Sequence, residues 1–448
     1  MRITGSHKWF FILSAVVLSL TVGRVQVNAA PCPCDIYAAG GTPCVAAHST
    51  VRALYSSYNG YLYQIRRADS KTKDIGLLTS GGLANAAAQD SFLNGTTGTI
   101  SKIYDQSSNK NDLVKAPAGG YLHNGGLEAN ATGAKISMNG HQVYGVYTTS
   151  SWDNDVGSVG YRNNATTGIA IKGRPEGIYM VCSGKHYNQW CCFDYGNAQT
   201  DNTADEAAIM EAVYFGTSTQ WGYGSSNGPW VMADLEWGLF AGGALVNSSN
   251  TPVIADYVTG IVKGDSTNLY AIRGGNAKSG ILKTMYSGTR PSGYYPMKKE
   301  GAIVLGVGGD NSHTGEGTFF EGAITSGYPS DTTDDSIQAN IVAAGYGSSI
   351  TTTMYCNNNK VSASMFKVRY NVSNANAIVS YTLQDVGHVN ITIVDQCGRR
   401  IATIVNGIIP SGRHDAVWDA KRTPTGVYLC RAIIDGMSGW TGKIIVGK

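Results

Sequence analysis

Short apolar segments separated by glycine and asparagine dominate residues 30–345, and this pattern constrains the fold more than any other feature. Apolar runs of strand length occur at 177–182, 230–240, 302–307 and 318–324. Turn-forming clusters lie between such runs, among them Asn94-Gly95, Asn124-Gly125-Gly126 and Gly308-Gly309-Asp310-Asn311. Helical periodicity is restricted to 45–57 and 336–344. The pattern predicts an all-β chain, with 30–345 folded as one large antiparallel β-sandwich.

A second block begins after a change of composition. Segment 346–360 is rich in glycine, serine and asparagine, which predicts a linker. Residues 361–448 then contain short alternating runs at 377–383, 389–394, 401–405, 416–418, 427–433 and 443–446. About seven short strands at this spacing are typical of a small immunoglobulin-like β-sandwich. The block has no cluster of titratable residues, so we interpret it as an accessory module.

Charge is scarce in this chain. Its 448 residues carry a formal net charge of +3, and charged residues make up 15%, against roughly 25% in an average soluble domain. The near-neutral balance gives no electrostatic reason to expect nucleic acid or an anionic membrane as partner. With 57 Gly and 26 Tyr, the composition fits an extracellular β protein that handles a neutral substrate.

The N-terminus has the pattern of a secretory signal peptide. Basic residues at Arg2 and Lys8 precede an apolar run at 9–22, and small residues follow at Asn28-Ala29-Ala30. The run is shorter than the roughly 20 residues that span a bilayer, and no second run approaches that length. We therefore expect residues 1–29 to be removed, no membrane span, and a secreted protein.

Nine cysteines in an exported chain predict disulfides, with at least one thiol left unpaired or paired to another chain. Cys34 and Cys44 flank a Gly-Gly-Thr-Pro turn and could close a short loop. Cys191 and Cys192 are adjacent, so on a strand they would point to opposite faces and find different partners. Alternatively they form a vicinal disulfide, a strained ring of the kind kept at functional sites. The sequence leaves open the pairing of Cys32, Cys182, Cys356, Cys397 and Cys430.

Two acids lie close together in the apolar run 230–240. If this run is one strand, its apolar face consists of Val231, Ala233, Leu235, Trp237 and Leu239. Asp234 and Glu236 then share the other face, where repulsion raises the proton affinity of at least one of them. Two interpretations stay open: solvated acids on an exposed face, or a carboxylate cleft that cuts a neutral glycan.

A third candidate acid is Asp310, which follows the run 302–307 and two glycines that let the backbone approach a ligand closely. The same residues are also ordinary turn chemistry, and Glu316 and Glu321 are equally available by type. The sequence has no HExxH, zinc-finger, G-x-S-x-G, P-loop or dinucleotide-binding motif, so we expect no metal and no cofactor. Two carboxylates acting on a glycosidic bond remain the strongest mechanism.

A more specific pattern is carried by a set of motifs that covers about residues 34–345 nearly continuously. They are Cys34-Asp35-Ile36-Tyr37, 42–50, 52–55, 103–107, Cys191-Cys192-Phe193-Asp194-Tyr195-Gly196-Asn197, Trp221-Gly222-Tyr223-Gly224, 299–303, Gly308-Gly309-Asp310-Asn311-Ser312 and 321–330. Together these motifs resemble glycoside hydrolase family 54, the α-L-arabinofuranosidases. The resemblance implies a jelly-roll or concanavalin-like catalytic sandwich that releases terminal L-arabinofuranose with retention.

The resemblance also implies roles for particular residues. Glu236 is the implied nucleophile and Asp310 the implied general acid/base; retention places such carboxyls about 5 to 5.5 Å apart. Cys191 and Cys192 are implied to form a vicinal disulfide that floors the sugar pocket. The other implied substrate-binding residues are Asp234, Trp221, Gly309 and Asn311.

The chain departs from the family pattern in two places. Members of the family often carry a polar residue where Trp237 stands, so the edge of the pocket is expected to differ. Many relatives end in a β-trefoil arabinose-binding module, whereas segments 412–419 and 424–428 resemble immunoglobulin-like modules of bacterial exported proteins, of the sorting or hook-capping type. Such modules act in secretion or surface attachment, and the alternative is a passive spacer.

The sequence thus predicts a secreted exo-acting arabinofuranosidase whose partners are arabinose-containing plant polysaccharides such as arabinan and arabinoxylan. Two alternatives stay open. One is another pentofuranosidase or an endo-glycanase on the same scaffold, and the other is a non-catalytic glycan-binding surface protein.

Overall fold

The computed structural model describes residues 31–152, 157–348, 364–371, 375–383, 386–395, 399–434 and 437–446. The predicted signal peptide 1–29, most of the predicted linker 346–360, and Cys356 and Cys397 lie outside these residues. The chain divides into two compact units after Ser348. Within the described ranges, no helix is long and apolar enough to cross a membrane.

The first unit is built almost entirely of strands. Its helices are α1 (Pro33–Ala39), α2 (Ala86–Leu93) and α3 (Asp331–Ala343). Its strands are β1 (Cys44–Ser49), β2 (Tyr63–Arg67), β3 (Thr72–Ile75), β4 (Gly98–Ile103), β5 (Leu113–Lys115), β6 (Ala129–Asn130), β7 (Ala134–Met138), β8 (His141–Thr148), β9 (Tyr161–Asn163), β10 (Glu176–Tyr187), β11 (Asp194–Ala198), β12 (Glu211–Gly216), β13 (Trp230–Asp234), β14 (Leu239–Phe240), β15 (Tyr257–Gly264), β16 (Leu269–Asn276), β17 (Lys283–Thr289), β18 (Ala302–Leu305) and β19 (Gly317–Ser326).

These strands form two antiparallel sheets. The eight-stranded sheet has the order β17-β16-β15-β10-β19-β8-β7, with β1 paired to β19. The eleven-stranded sheet has the order β14-β13-β12-β11-β18-β9-β5-β4-β2-β3, with β6 paired to β4. The predicted all-β sandwich is therefore confirmed for this unit.

The main core lies between the two sheets. Val213 of β12 and Val231 of β13 alternate into it, together with Tyr179 of β10 from the facing sheet. The sheets approach so closely that a Cβ added to Gly260 of β15 would lie 2.8 Å from Val213. This packing of alternate side chains is what the short apolar runs encode.

The outward face of the eleven-stranded sheet is buried as well. Tyr214, Trp230 and Met232 point away from the main core and form a second apolar cluster with Cys192 and Leu239. Every residue of β13 is buried. Burial on both faces explains why residues 230–233 are all apolar rather than alternately apolar and polar.

Two expectations about local structure are wrong. The periodicity at 45–57 predicts a helix, but Cys44–Ser49 form β1, which pairs with β19 through His48 opposite Gly322. Tertiary pairing and burial outweigh the weak local preference here. The run 230–240 is not one strand, because β13 ends at Asp234 and β14 begins at Leu239. The periodicity at 336–344 is confirmed, since it lies almost wholly within α3.

The second unit also consists of strands. They are β20 (Ser364–Asn371), β21 (Asn376–Leu383), β22 (Gly387–Asp395), β23 (Arg400–Ile409), β24 (Gly412–Asp419), β25 (Gly426–Ile434) and β26 (Met437–Val446). They form a sheet of order β20-β21-β24 and a sheet of order β23-β22-β25-β26. Trp418 of the first sheet and Ile391 of the second belong to one buried core. The six apolar runs quoted from the sequence all lie in strands, and β20, for which no run was quoted, brings the number to the predicted seven.

The described cysteines separate into bonded and free ones. Cys34 of α1 is bonded to Cys44 at the start of β1, with the two Cα atoms 5.5 Å apart. This confirms the predicted disulfide. Cys32, Cys182 and Cys430 are buried and not part of a disulfide.

A buried ion pair joins several elements of the first unit. Arg52 Nη2 donates to Glu321 Oε1 at 2.6 Å, and its Nε donates to Oε2 at 2.5 Å. The same carboxylate accepts from the hydroxyls of Tyr179 (3.3 Å) and Tyr346 (2.8 Å). Arg52 Nη1 also donates to Asn340 on α3. The pair therefore connects the segment after β1 with β10, β19 and α3.

We expect Arg52→Ala to reduce the free energy of unfolding by about 3 to 5 kcal/mol, because it leaves the buried Glu321 carboxylate without its cation. Urea denaturation at pH 7 measures the loss. Arg66→Ala is the matched control, since the Arg66–Glu128 pair is largely exposed on the arginine side and should cost at most about 1 kcal/mol. Equal losses in the two variants would contradict the structural role given to Arg52.

Candidate active site

The turn between β13 and β14 carries Glu236, the acid that the family resemblance implies as nucleophile. Glu236 has φ 66° and Trp237 has φ 58°, both in the left-handed region. This turn reverses the chain and ends the alternation of faces. Asp234 Oδ1 accepts the backbone N–H of Glu236 at 3.0 Å, and Tyr294 donates to the Glu236 carbonyl at 2.9 Å. Two side chains thus hold a backbone conformation that is costly for residues other than glycine.

Glu236 itself points inward, whereas Trp237 points out. The Glu236 side chain is almost fully buried, and Trp237 is 55% exposed. The Trp237 indole N–H donates to Ala204 O at 3.0 Å, which places the ring against the loop after β11. The sequence pattern put Trp237 on a buried apolar face, and this prediction is wrong because the left-handed turn rotates the side chain away from the core.

Asp310, the implied general acid/base, lies on a tight loop after β18. Asp310 Oδ1 accepts the backbone N–H of Ser312 at 2.8 Å, and Asn311 N donates to Gly308 O at 3.1 Å. Asp310 is only half-buried. A Cβ added to Gly309 would lie 2.4 Å from Glu236 Oε2. The glycine therefore allows the Asp310 loop to pass directly over the Glu236 carboxyl.

Arg162 on β9 links the loop of Asp310 to Gln199, the residue that bonds Glu236. Its Nη1 donates to Gly309 O (2.6 Å) and to Asn311 Oδ1 (3.1 Å), and its Nη2 donates to Gln199 O. Gln199 in turn donates from Nε2 to Glu236 Oε2 at 2.9 Å. One buried guanidinium therefore fixes the loop of Asp310 and the hydrogen-bond partner of Glu236 together.

The adjacent cysteines lie beside these acids. Cys191 and Cys192 are bonded to each other in the structure. Cys192 Sγ lies 3.3 Å from Asp234 Oδ2. Because both sulfurs are used in the disulfide, no thiolate is available to join Asp234 as a metal ligand. The group instead presents an apolar sulfur surface next to a carboxyl.

Asp194 on β11 is an acid that the sequence analysis did not single out as a site residue. It is completely buried, and among the described residues no N–H or O–H group donates to its carboxyl oxygens. Burial, together with the negative charge of Asp234, raises the pKa of Asp194 well above its ordinary value.

Burial governs the protonation of the whole group. It raises the pKa of Asp234 to about 7. Burial, with the charges of Asp234 and Asp310, raises the pKa of Glu236 to about 9. Burial lowers the pKa of Arg162 to about 10, although Asp310 and Glu236 oppose that change. Because these carboxyls are close together and buried, the group binds protons more tightly than separate, solvated carboxyls would.

Comparison with known proteins identifies the scaffold. The family described as “Alpha-L-arabinofuranosidase B, catalytic” matches residues 33–347. The chain belongs to this family. It is 56% identical over 322 residues to a probable alpha-L-arabinofuranosidase B of Aspergillus fumigatus, an alignment that covers 70% of this chain and 62% of the relative. The chain thus spans less than two thirds of that relative's length.

Two solved structures are similar as well. A glutamate-to-glutamine mutant of a glycoside hydrolase family 54 α-L-arabinofuranosidase, soaked with 4-nitrophenyl α-L-arabinofuranoside, is 48% identical with a TM-score of 0.67. The match covers 79% of this chain and 73% of that one. An arabinofuranosidase complexed with arabinofuranosyl-α-1,2-xylobiose is 42% identical with a TM-score of 0.67, covering 89% and 87%.

Within this family scaffold, the predicted residues separate into two groups. Glu236, Asp310, Gly309, Asp234 and the two cysteines lie together. Trp221 is 45% exposed and lies beside β14, where its carbonyl accepts the Leu239 N–H. Asn311 is fully buried, and its amide donates to Pro117 O and Gly119 O while its oxygen accepts from Arg162. Its side chain therefore holds the loop and has no free polar atom for a sugar.

We expect Arg162→Lys to lower kcat/KM by about 10- to 100-fold. One ammonium group cannot bond both the Asp310 loop and Gln199, so the carboxyls of Asp310 and Glu236 would no longer be held in position. Steady-state hydrolysis of 4-nitrophenyl α-L-arabinofuranoside measures the change. Arg66→Lys, which alters an exposed arginine far from the acids, is the control and should leave the rate unchanged. Full activity of Arg162→Lys would show that the guanidinium fork is dispensable.

Proposed function

We propose that this protein is a retaining exo-α-L-arabinofuranosidase that releases terminal L-arabinofuranose from arabinan and arabinoxylan side chains. The observation that carries the proposal is the arrangement of Glu236 under the Asp310 loop, within the matched catalytic scaffold. Retaining glycosidases use a carboxyl pair of this kind, one as nucleophile and one as acid/base.

The difference in burial supports the division of roles. Glu236 lies deep and is held by Gln199, which suits a nucleophile that attacks the anomeric carbon of an enclosed sugar. Asp310 is half-buried on a loop, which suits a residue that protonates the departing oxygen and later activates water. The leaving group departs toward solvent and the water enters from solvent. The acid/base, which serves both, must therefore be the more exposed acid.

The surroundings suit a neutral furanose. The disulfide of Cys191 and Cys192 offers an apolar surface to C–H groups of the ring, and Asp234 lies beside it as a partner for a sugar hydroxyl. Trp237, which follows Glu236 in the chain, and Trp221, beside β14, both have exposed aromatic rings. Deep burial of Glu236 supports exo action, because an internal unit of a polymer would need an open path on both sides.

We expect the chain to release arabinose from arabinan and arabinoxylan without shortening the polymer backbone, and NMR should show the α-anomer first. Glu236→Gln should lower kcat by about 10⁴-fold or more, because the amide cannot form the covalent intermediate. An initial β-anomer would overturn retention, and backbone shortening would favour an endo-glycanase. Binding of arabinan without hydrolysis would favour the non-catalytic alternative.

Asp310→Asn should distinguish the acid/base from the nucleophile. Hydrolysis of arabinoxylan should slow by about 10² to 10⁴-fold, because a sugar leaving group needs a proton. Release of 2,4-dinitrophenolate from the corresponding aryl arabinofuranoside needs no proton, so its first turnover should be nearly normal in a stopped-flow burst. External azide should restore turnover by replacing the activated water. Equal slowing of both substrates would contradict this role.

Two further proposals concern location. Export with loss of residues 1–29 is supported by the order of that segment, in which basic residues come first, an apolar run follows and small residues come last. N-terminal sequencing of protein from the medium tests it.

An immunoglobulin-like C-terminal module is supported by the two sheets around one core, and we propose surface attachment as its role. Recovery of the full chain only from the medium would contradict attachment.

A further inference from the structure

An exposed tyrosine lies beside the loop that carries Asp310. Tyr121 belongs to segment 116–126, which connects β5 to β6, and its side chain is 60% exposed. Its backbone N–H donates to the Asp310 carbonyl at 3.0 Å. A single exposed aromatic residue is common on protein surfaces. This one adjoins the residue that we propose as the acid for the departing oxygen, so its surroundings bear on what the leaving group contacts.

Segment 116–126 is fixed to the Asp310 loop. Besides the bond from Tyr121, the Asn311 amide donates to two carbonyls of the segment, both at 3.1 Å. Gly120 has φ 55°, and a Cβ added to it would lie 2.0 Å from the Asp310 carbonyl oxygen. Glycine is therefore what allows the two backbones to approach so closely. The segment and the Asp310 loop form one rigid part of the site.

The segment covers the sheet face on which the disulfide lies. Leu122 is fully buried and shares an apolar cluster with Ala212 of β12. Ala212 and Tyr214 lie on the same face of β12, because side chains two residues apart on a strand point the same way. Tyr214 belongs to the cluster that contains Cys192. Leu122 thus anchors the segment on this face, and the exposed tyrosine before it lies on the solvent side.

The chemistry of the segment suits a neutral ring. Residues 116–127 contain no Asp, Glu, Lys or Arg, so charge does not direct what binds there. An aromatic ring in a ligand site supplies apolar contact area, which the C–H groups of a sugar ring can cover. In the proposed mechanism Asp310 protonates the oxygen between the arabinose and the rest of the substrate. The sugar beyond that oxygen therefore lies on the Asp310 side of the site.

We propose that Tyr121 is a specificity-determining residue whose ring contacts the sugar that departs with the protonated oxygen. The inference rests on the proposed function. The departing sugar is a xylopyranose in arabinoxylan and a further arabinofuranose in arabinan, and both present C–H groups to an aromatic ring. Because this contact lies outside the arabinose pocket, its binding energy raises kcat/KM only for substrates that carry such a sugar.

The test compares leaving groups with and without a sugar ring. Tyr121→Ala should lower kcat/KM for arabinofuranosyl-xylotriose or linear arabinotriose by about 10- to 30-fold, and for methyl α-L-arabinofuranoside by less than about twofold. The alanine variant keeps the backbone N–H that bonds Asp310. Normal hydrolysis of the methyl substrate, which also needs a proton on its leaving oxygen, would show that this acid is still in position.

Two further variants serve as controls. Tyr121→Phe keeps the ring, so its rates on all three substrates should stay within about twofold of wild type. Tyr61→Ala removes a tyrosine that is 54% exposed and precedes β2, four strands from β18 in the sheet order, and should change none of them. A loss confined to one oligosaccharide would support the contact and identify its sugar. Equal losses on all three substrates, or no loss on either oligosaccharide, would overturn the proposal.

Binding is measured separately from hydrolysis, in the Glu236→Gln background. NMR titration with the two oligosaccharides should show that adding Tyr121→Ala raises the Kd of at least one of them by about 10-fold. If wild type hydrolyses none of the substrates, the proposed function fails, while this titration still decides the role of Tyr121. If wild type is active and the Kd of both oligosaccharides is unchanged by Tyr121→Ala, the proposed function stands and the contact with Tyr121 is refuted.

Discussion

Burial of the outward face of the eleven-stranded sheet is the constraint on which the rest of the site depends. Tyr214, Trp230 and Met232 cover this face with an apolar layer, so any polar side chain there is removed from water. Asp194 and Asp234 nevertheless lie in this layer, and Glu236 lies on the turn that closes it. Such groups persist only where each polar atom is bonded or neutral.

The protein meets this requirement with few charges. Arg162 uses its donors on the carbonyls and amide that shape the site, while Gln199 supplies the direct hydrogen bond to Glu236. Burial and the neighbouring carboxylates raise the pKa values of Asp234 and Glu236. In the proposed mechanism a neutral sugar needs no opposing charge, so a low-dielectric site with few cations suits it. The low charge content of the chain is consistent with this arrangement.

Local sequence patterns predicted most strands because strands and turns depend on neighbouring residues. The runs at 177–182, 302–307 and 318–324 all became strands. Predictions failed where distant contacts outweighed local preference, as in β1, or where a left-handed turn broke an apolar run, as at Glu236. Arg162 and Asp194 were not singled out because their partners lie far away in the chain; Arg162 bonds Gly309, 147 residues on.

The sequence by itself determined the all-β class, the short-loop disulfide of Cys34 and Cys44, and the family to which residues 33–347 belong, because periodicity, spacing and motifs are all written along the chain. Tertiary structure decided which acids meet. Asp194, Asp234, Glu236 and Asp310 come from two strands and two turns, and their burial exists only when those segments assemble. Protonation depends on burial and on neighbouring charge, so it is a property of the folded chain alone.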